Sequence, residues 1–313
     1  MNLLVTGSSG LIGSALVDAA LDRGDTVTRL VRSTSGNSLG STSAPSGVTD
    51  VPWDPVTGTV DTAALVASGS FQGVVHLAGA GVGDKRWTDA RKREITESRT
   101  RSTDLIARTI AALEPQPQVL VSASAVGYYG DRADEILTEA SPAGSGFLAG
   151  VCVAWEAATN PAVEAGIRTV LLRTGFVLNS RGGALAKQLP LFRLGVGGKL
   201  GPGRQYRSWI TLDDELAAIF HCLGDADLTG PVNATAPYPA TDAQLAKALG
   251  SALHRPSFLA VPAPALKLVL GPEMASDMVL ASQRVLPEQL EQSGFAFLHT
   301  DLDEAVRSVL DGS

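Results

Sequence analysis

The sequence is poor in cysteine and in aromatic residues, and it has no long apolar run. Its two cysteines, Cys152 and Cys222, form no Cys-x-x-Cys pair or Cys/His cluster, so we predict buried free thiols in a reducing compartment and no metal site. The most apolar late stretch, 258–270, is interrupted by two prolines and a lysine and is too short to span a bilayer. A net charge of -7 argues against a nucleic-acid partner.

The N-terminus enters an apolar stretch at once, without a basic segment or a cleavage site. We therefore expect a cytoplasmic protein that is not secreted. Its 313 residues are 44% hydrophobic and 18% charged, which is enough for one large globular domain or two smaller ones. The expected partner is a small-molecule substrate, with neither nucleic acid nor membrane; a homodimer stays open.

A glycine-rich turn follows the first predicted strand, Asn2 to Thr6. Gly7, Gly10 and Gly13 form a G-x-x-G-x-x-G pattern, and an apolar helical pattern continues after it. A strand, a glycine turn and a helix N-terminus in this order are the context that a dinucleotide fingerprint requires. The glycines permit a sharp turn, a close approach of the backbone to a diphosphate and close packing of the helix on the strand. The alternative is a tight turn that binds nothing.

The second strand is predicted over Thr26 to Val31 and is followed by Arg32. An NAD site usually offers an acidic residue about twenty residues after the glycine turn, to the ribose 2′-hydroxyl. A guanidinium there complements a 2′-phosphate instead, so we predict NADP (NADPH) as the cofactor, with NAD less favoured. The stretch from Ser33 to Gly47 is predicted to be a flexible loop.

Two further predicted strands end in small residues. The stretch 73–81 opens into Leu77, Ala78 and Gly79, and ligands bind at such carboxyl ends in open α/β sheets. His76 lies inside the first apolar run, which favours a buried, hydrogen-bonded histidine over a catalytic one. The stretch 119–130 ends in a Ser-Ala-Ser sequence and two tyrosines. Trp53 and Asp54 either contact an adenine ring or only form a turn.

These strand ends, with the glycine turn before them, resemble those of the extended short-chain dehydrogenase/reductases, in the branch of NAD-dependent epimerase/dehydratases. More narrowly, the chain is similar to "epimerase family" proteins of undefined substrate, over nearly its whole length. The resemblance implies a Rossmann-type α/β fold, in which a doubly wound parallel sheet carries the cofactor. It also implies cofactor contacts at Gly7, Ser9, Gly10, Leu11, Ile12, Arg32, Leu77, Ala78, Gly79, Arg99 and Ser122.

The catalytic positions of this superfamily are altered. Its members use a Ser, a Tyr and a Lys, the last two spaced Tyr-x-x-x-Lys, and Ser124 stands where the Ser is expected. A Glu usually follows the Lys by four residues, and Glu156 fits it. Counting back places Cys152 at the Lys position and Leu148 at the Tyr position. Neither residue can replace the usual acid and its cation.

Another acid must therefore act if the chain is an enzyme. Tyr128 and Tyr129 are the nearest candidates, and we predict Ser124 and Tyr129 as the catalytic pair. The Asn that usually begins the central helix motif falls at Arg99, which again indicates a reorganised site.

The resemblance divides the chain into two halves. Residues 1–178 and 211–238 form the NADP-binding half, and residues 179–210 and 239–313 form a smaller substrate half. Arg204 and Arg207 lie beside the expected substrate, as an anion site or as solvated rim residues. In the C-terminal part, a helix is predicted over Met274 to Arg284 and a short strand at Phe295 and Phe297.

Three functions compete at this stage. The first is an NADP-dependent oxidoreductase or epimerase acting on an unidentified small molecule. The second is a non-catalytic NADPH-binding sensor or carrier, which the missing Tyr and Lys motivate. The third is a structural module that uses the fold alone, and the intact glycine turn argues against it.

Overall fold

The structure is a computed structural model that describes residues 1–32 and 45–311. Its strands are β1 (Asn2–Thr6), β2 (Thr26–Arg32), β3 (Val48–Asp54), β4 (Thr59–Val60), β5 (Gly73–His76), β6 (Val119–Ala125), β7 (Ile136–Leu137), β8 (Arg168–Thr174), β9 (Phe176–Leu178), β10 (Gly198–Leu200), β11 (Tyr206–Arg207), β12 (Trp209–Thr211), β13 (Gly230–Ala234), β14 (Ala240–Thr241), β15 (Leu259–Val261) and β16 (Arg284–Val285).

Within its described residues the chain also contains a 3-10 turn (Val126–Tyr129), a π-helical segment (Ala275–Leu280) and twelve α-helices. They are α1 (Leu11–Asp22), α2 (Thr62–Ala67), α3 (Asp89–Ala111), α4 (Phe147–Ala157), α5 (Asn160–Glu164), α6 (Gly183–Arg193), α7 (Leu212–Gly224), α8 (Asp242–Ala252), α9 (Ala263–Leu270), α10 (Pro272–Met274), α11 (Glu288–Gln292) and α12 (Leu302–Asp311).

One eight-stranded sheet dominates the fold, in the order β13-β8-β6-β5-β1-β2-β3-β4. All neighbours pair in parallel except β4, which is antiparallel to β3. The strand order reverses beside β1, as in doubly wound nucleotide-binding sheets. The predicted α/β fold with a doubly wound parallel sheet is therefore confirmed.

Helices cover both faces of the sheet, which explains why its strands are apolar throughout. Leu3 and Val5 of β1 pack on the face covered by α1 and α7. Leu4, between them, packs on the opposite face, which α3 covers through Ile106 and Ile110. Alternate residues of one strand thus enter two separate cores.

Small two-stranded sheets lie outside the main sheet and pair segments that are distant in the sequence. The strands β9 and β12 are parallel, β11 and β14 are antiparallel, and β7 pairs with β16 in parallel. The last of these pairs joins the C-terminal region to the chain that follows β6. The division into a nucleotide half and a substrate half stays a prediction.

Two local predictions in the C-terminal region are corrected. No strand forms at Phe295 and Phe297; their rings pack edge to face 4.7 Å apart, and Phe295 also lies against His221. The alternating pattern therefore came from local aromatic packing. The helix predicted over Met274 to Arg284 is a π-helical turn that ends at Leu280. Most of the loop predicted over 33–47 lies outside the described residues.

Within the described ranges, no helix is both long enough and apolar enough to cross a membrane. The same ranges hold no group of three or more His, Cys, Asp or Glu side chains that could bind a metal ion.

Candidate functional site

The glycine turn joins β1 to α1 at the carboxyl edge of the sheet. Gly7 has a φ of +71°, a left-handed conformation that residues other than glycine rarely adopt. Its carbonyl oxygen accepts a hydrogen bond from the amide of Gly10 at 3.0 Å. A Cβ on Gly7 would lie 2.7 Å from the carbonyl carbon of Leu77. A Cβ on Gly13 would overlap the Gly7 carbonyl, 2.8 Å from its carbon atom. At Gly7 and Gly13 the turn therefore has room for glycine alone.

The N-terminus of α1 fits an anionic group. Gly10 is its N-cap, no side chain caps it, and its first turn contains no acidic residue. The unpaired amides and the positive end of the helix dipole favour a phosphate at such a terminus. Ser9 and Gly10 are exposed, and Leu11 and Ile12 are half-buried. The observed turn thus fits the dinucleotide site that the sequence predicts.

The other predicted cofactor residues lie at the same edge of the sheet or near it. Leu77 and Ala78 follow β5 beside the glycine turn, and Gly79 is exposed. Arg32 is exposed at the end of β2. Ser122 is buried, its hydroxyl has no hydrogen-bond partner among the described residues, and nothing in the structure assigns it a ligand contact.

His76 is a structural residue, as its place in an apolar strand indicates. It is fully buried between Thr6 Oγ1, 2.7 Å from Nδ1, and Thr103 Oγ1, 2.9 Å from Nε2. Burial lowers the pKa of His76 to about 3, so the ring is neutral. Trp53 is buried edge-on against the His76 ring, and Asp54 accepts the Val56 amide in a turn. Trp53 therefore does not present its ring to an adenine.

A cavity of about 230 Å³ opens where β6 and β8 end. It is smaller than the roughly 300–1,000 Å³ typical of drug-sized ligand sites, so it suits a small molecule. Helix α4 forms one wall and the π-helical segment forms another. The larger apolar side chains on its lining include Val126, Leu148, Val151, Trp155, Phe176 and Met278.

A larger open depression of about 650 Å³ lies at the opposite edge of the sheet, where β8 and β13 begin. Ligands of open α/β sheets bind at the carboxyl ends of the strands. We therefore take the smaller cavity as the candidate site.

The position of Ser124 does not favour its predicted role in orienting a substrate. Ser124 does not line the cavity. It is 3% exposed, and its hydroxyl donates to Glu156 Oε1 at 2.6 Å. Glu156 in turn forms a two-pronged ion pair with Arg173, at 2.8 and 2.9 Å. Ser124 therefore belongs to a buried network beneath the site.

The position of Tyr129 likewise does not favour its predicted role as the replacement acid, since it does not line the cavity. Its side chain is fully buried, its hydroxyl donates to Asn233 Oδ1 at 2.7 Å, and Arg173 donates to that hydroxyl at 3.0 Å. Burial raises the pKa of Tyr129 to about 12. Its proton is neither accessible nor easily released.

Three residues that cannot transfer a proton face the cavity instead. Ala125 follows Ser124 on β6 and points the opposite way, toward Leu148 and Cys152 of α4. Burial raises the pKa of the Cys152 thiol to about 12, and that thiol donates to the Ala125 carbonyl at 3.7 Å. Leu148 and Cys152 thus stand at the predicted Tyr and Lys positions, and the β6 residue that faces them across the cavity is Ala125.

The cavity also has polar lining residues, which come from distant parts of the chain. Tyr206 lies on it, and none of the described residues hydrogen-bonds its hydroxyl. Arg207, predicted as an anion ligand or a solvated residue, pairs with Asp242 at 2.7 Å. Asp277 accepts the Phe147 amide at 2.9 Å. Sequence reasoning missed Tyr206 and Asp277 because no local pattern marks them; only the fold brings them to α4.

Arg99, predicted as a cofactor residue, lies at the cavity with Trp155. Its side chain passes directly beneath Gly79, where a Cβ would lie 3.2 Å from its Cγ and Cζ atoms. The glycine after β5 therefore makes room for this arginine.

Comparison with known proteins places the chain among proteins with this fold and this C-terminal region. The model of the NAD dependent epimerase/dehydratase family matches residues 3–235, and a model described as a domain of unknown function, DUF1731, matches residues 261–309. Asp277 and Met278 of the cavity come from the second region. The candidate site is thus shared between both parts.

Curated relatives span the same length. An epimerase family protein of Mycobacterium bovis is 41% identical over 302 residues, which are 96% of this chain and 95% of the relative. The Homo sapiens epimerase family protein SDR39U1 is 32% identical over 315 residues, with 99% and 100% covered.

Solved structures agree with these matches. The crystal structure of human SDR39U1 isoform 2 with NADPH superposes with a TM-score of 0.87 at 30% identity and covers both chains fully. The UDP-glucose 4-epimerase of Thermus thermophilus, solved with NAD, has a TM-score of 0.75 at 20% identity, with 99% and 98% covered, and shows the fold alone. By the extent of these matches, the chain belongs to the NAD dependent epimerase/dehydratase family.

Proposed function

We propose that the chain is an NADP(H)-dependent oxidoreductase or epimerase that acts on a small molecule held in the cavity beside α4. The observation that carries the nucleotide part is the glycine turn, which leaves the N-terminus of α1 uncapped and without acidic neighbours. The human relative with NADPH supports the choice of nucleotide. The diphosphate would lie at this terminus and the nicotinamide would extend toward the cavity.

Arg32 is the residue that we assign to the 2′-phosphate. It is exposed at the end of β2, where an NAD site places an acidic residue. A guanidinium binds a phosphate through paired, charge-assisted hydrogen bonds, and NADH has no phosphate at this place.

We expect Arg32→Ala to weaken NADPH binding by about tenfold or more, equivalent to about 1.4 kcal/mol, and to leave NADH binding unchanged. Parallel titrations of both nucleotides by protein fluorescence measure this directly. Arg29→Ala is the matched control: Arg29 lies on the same strand but binds Asp50 at 2.6 and 2.7 Å. Equal losses for both nucleotides in the Arg32 variant would remove the 2′-phosphate assignment.

The chemical part of the proposal needs a proton donor. A reduced nicotinamide supplies a hydride to an electron-poor carbon, and a carbonyl oxygen must then receive a proton. Ala125, Leu148 and Cys152 cannot give it. Tyr206 is the tyrosine on the cavity lining, and its hydroxyl is not engaged by any described residue. We assign Tyr206 as the acid.

The test is loss of reduced-nicotinamide absorbance from the NADPH complex in the presence of a panel of small aldehydes and ketones. We expect Tyr206→Phe to slow the oxidation of NADPH by about 100-fold, the lower range for general acid catalysis, with unchanged NADPH affinity. The exposed Tyr238→Phe is the control. An unchanged rate in Tyr206→Phe would show that this hydroxyl is not the acid.

A non-catalytic sensor or carrier of NADPH is the second candidate. The observation that favours it is that Leu148 and Cys152 stand at the Tyr and Lys positions and that Ala125, and not Ser124, lines the cavity. In the same assay, tight NADPH binding with no oxidation by any carbonyl compound would favour the carrier over the enzyme.

A further inference from the structure

Arg99 is a buried cation that faces the cavity. Its side chain is 9% exposed, and its guanidinium carbon lies 4.8 Å from the centre of the Trp155 ring. Nη1 donates to the carbonyls of Ala80 at 2.9 Å and Ile95 at 3.1 Å. Nε and Nη2 have no hydrogen-bond partner among the described residues.

The charge of Arg99 is not balanced within the described chain. No described carboxylate lies within ion-pair distance of it. The nearby groups that act on its pKa are the Cys152 thiol, which raises it, and the cation Arg91, which lowers it. Burial raises the pKa of that thiol to about 12, so the thiol is neutral and does not balance the charge. The other charged groups on the lining are engaged: Arg207 with Asp242, and Asp277 with the Phe147 amide.

This imbalance is costly to the folded protein. A buried charge normally has a partner of opposite sign, because the loss of its hydration is strongly unfavourable. Burial lowers the pKa of Arg99, but a guanidinium stays protonated at neutral pH. An uncompensated cation of this kind fits an anion that arrives with a ligand.

We propose that Arg99 binds an anionic group of the substrate, a carboxylate or a phosphate, through its unpaired Nε and Nη2 donors. This proposal rests on the proposed function, in that it concerns the substrate cavity beside the nucleotide. Nε and one Nη of an arginine form the planar fork that holds two oxygens at once. The apolar part of the ligand packs on Trp155, Leu148 and Met278.

The phosphates of the dinucleotide are not the expected anion. They belong at the N-terminus of α1, and no residue of the glycine turn lines the cavity. The anion therefore comes from a second molecule, and the small volume of the cavity limits that molecule to a few carbon atoms or one ring.

The test uses three probes on the NADPH complex of the full chain: benzoate, phenyl phosphate and the neutral benzamide. Calorimetric titrations compare the wild-type protein with Arg99→Met and with the control Arg101→Met. Arg101 lies on the same helix but is exposed and pairs with Glu97 at 3.0 Å. The affinity of NADPH and the thermal midpoint of each variant are measured first.

We expect at least one anion to bind the wild-type protein and Arg101→Met, and to bind Arg99→Met at least tenfold more weakly. Benzamide should bind weakly and equally to all three. A preference for benzoate or for phenyl phosphate identifies the substrate anion as a carboxylate or a phosphate. Arg99→Met should keep its NADPH affinity and show no lower thermal midpoint, because an unpaired buried charge is removed.

Three outcomes overturn the proposal. One is that neither anion binds the wild-type protein; another is that both anions bind Arg99→Met with wild-type affinity. The third is weaker NADPH binding in Arg99→Met with anion affinity unchanged, which would assign Arg99 to the nucleotide. Failure of NADPH binding in the wild-type protein is a separate result: it removes the proposed function, while the anion titrations on the apoprotein still test Arg99.

Discussion

Gly13→Ala is expected to abolish tight NADPH binding and to destabilise the fold. The new methyl group would overlap the carbonyl of Gly7, so α1 must move away from β1. Forced overpacking of this kind costs about 1–3 kcal/mol. The displaced helix terminus no longer faces the diphosphate, and we expect NADPH to bind at least about 100-fold more weakly, equivalent to about 2.7 kcal/mol. Fluorescence titration and urea unfolding measure the two effects.

Gly24→Ala is the matched control, because Gly24 follows the same helix at its other end. It has a φ of +77°, and a Cβ there would meet no atom within 4 Å. The left-handed conformation alone costs about 1–2 kcal/mol. We expect a modest loss of stability with unchanged NADPH affinity. Wild-type NADPH affinity in Gly13→Ala would show that the nucleotide does not bind at this turn.

Arg173→Met is expected to lower the free energy of unfolding by about 3–5 kcal/mol, because it leaves a buried carboxylate without its cation. The Arg173 and Glu156 side chains are 4% and 10% exposed and pair at 2.8 Å. Arg173 also lies over the Tyr128 ring, with its guanidinium carbon 3.4 Å from the ring centre, and donates to Tyr129. Urea unfolding measures the loss.

Two further variants test whether this loss of stability comes from the buried charge. The double variant Arg173→Met with Glu156→Gln removes both charges, so we expect it to be more stable than Arg173→Met alone. Arg101→Met removes an exposed ion pair and should cost at most about 1 kcal/mol. If the double variant is less stable than Arg173→Met, the penalty does not come from the unpaired carboxylate.

The direction of the Ser124 side chain could not be predicted from the sequence. Ser124 and Ala125 are neighbours on β6, and their side chains point to opposite faces of the sheet. In a sheet with one solvent-exposed face, polar and apolar residues alternate, and that alternation would have shown which side chain lies on which face. Helices cover both faces here, so the sequence of β6 is apolar or small throughout and carries no such signal.

The cavity is another feature that local patterns cannot predict. Leu148 and Cys152 could be found by counting back from Glu156, because the family that the chain resembles spaces its Tyr, Lys and Glu regularly. Asp277 lies shortly before β16, which pairs with β7. Tyr206 lies on β11, which pairs with β14 and is joined to the segment before β16 by hydrogen bonds with Ser282 and Gln283. The lack of a counter-charge at Arg99 depends on all of these placements together.

The sequence by itself determined the features that need only a few neighbouring residues: the glycine turn before a helix, and the apolar strands. These follow from backbone sterics and from the periods of helix and strand. The loss of the Tyr and Lys side chains was implied by the resemblance to the family. The tertiary structure alone decided that Ser124 and Tyr129 are buried, that Ala125 faces the cavity, and that Arg99 has no counter-charge. Each of these depends on which side of a covered sheet a residue faces and on which distant segment packs there.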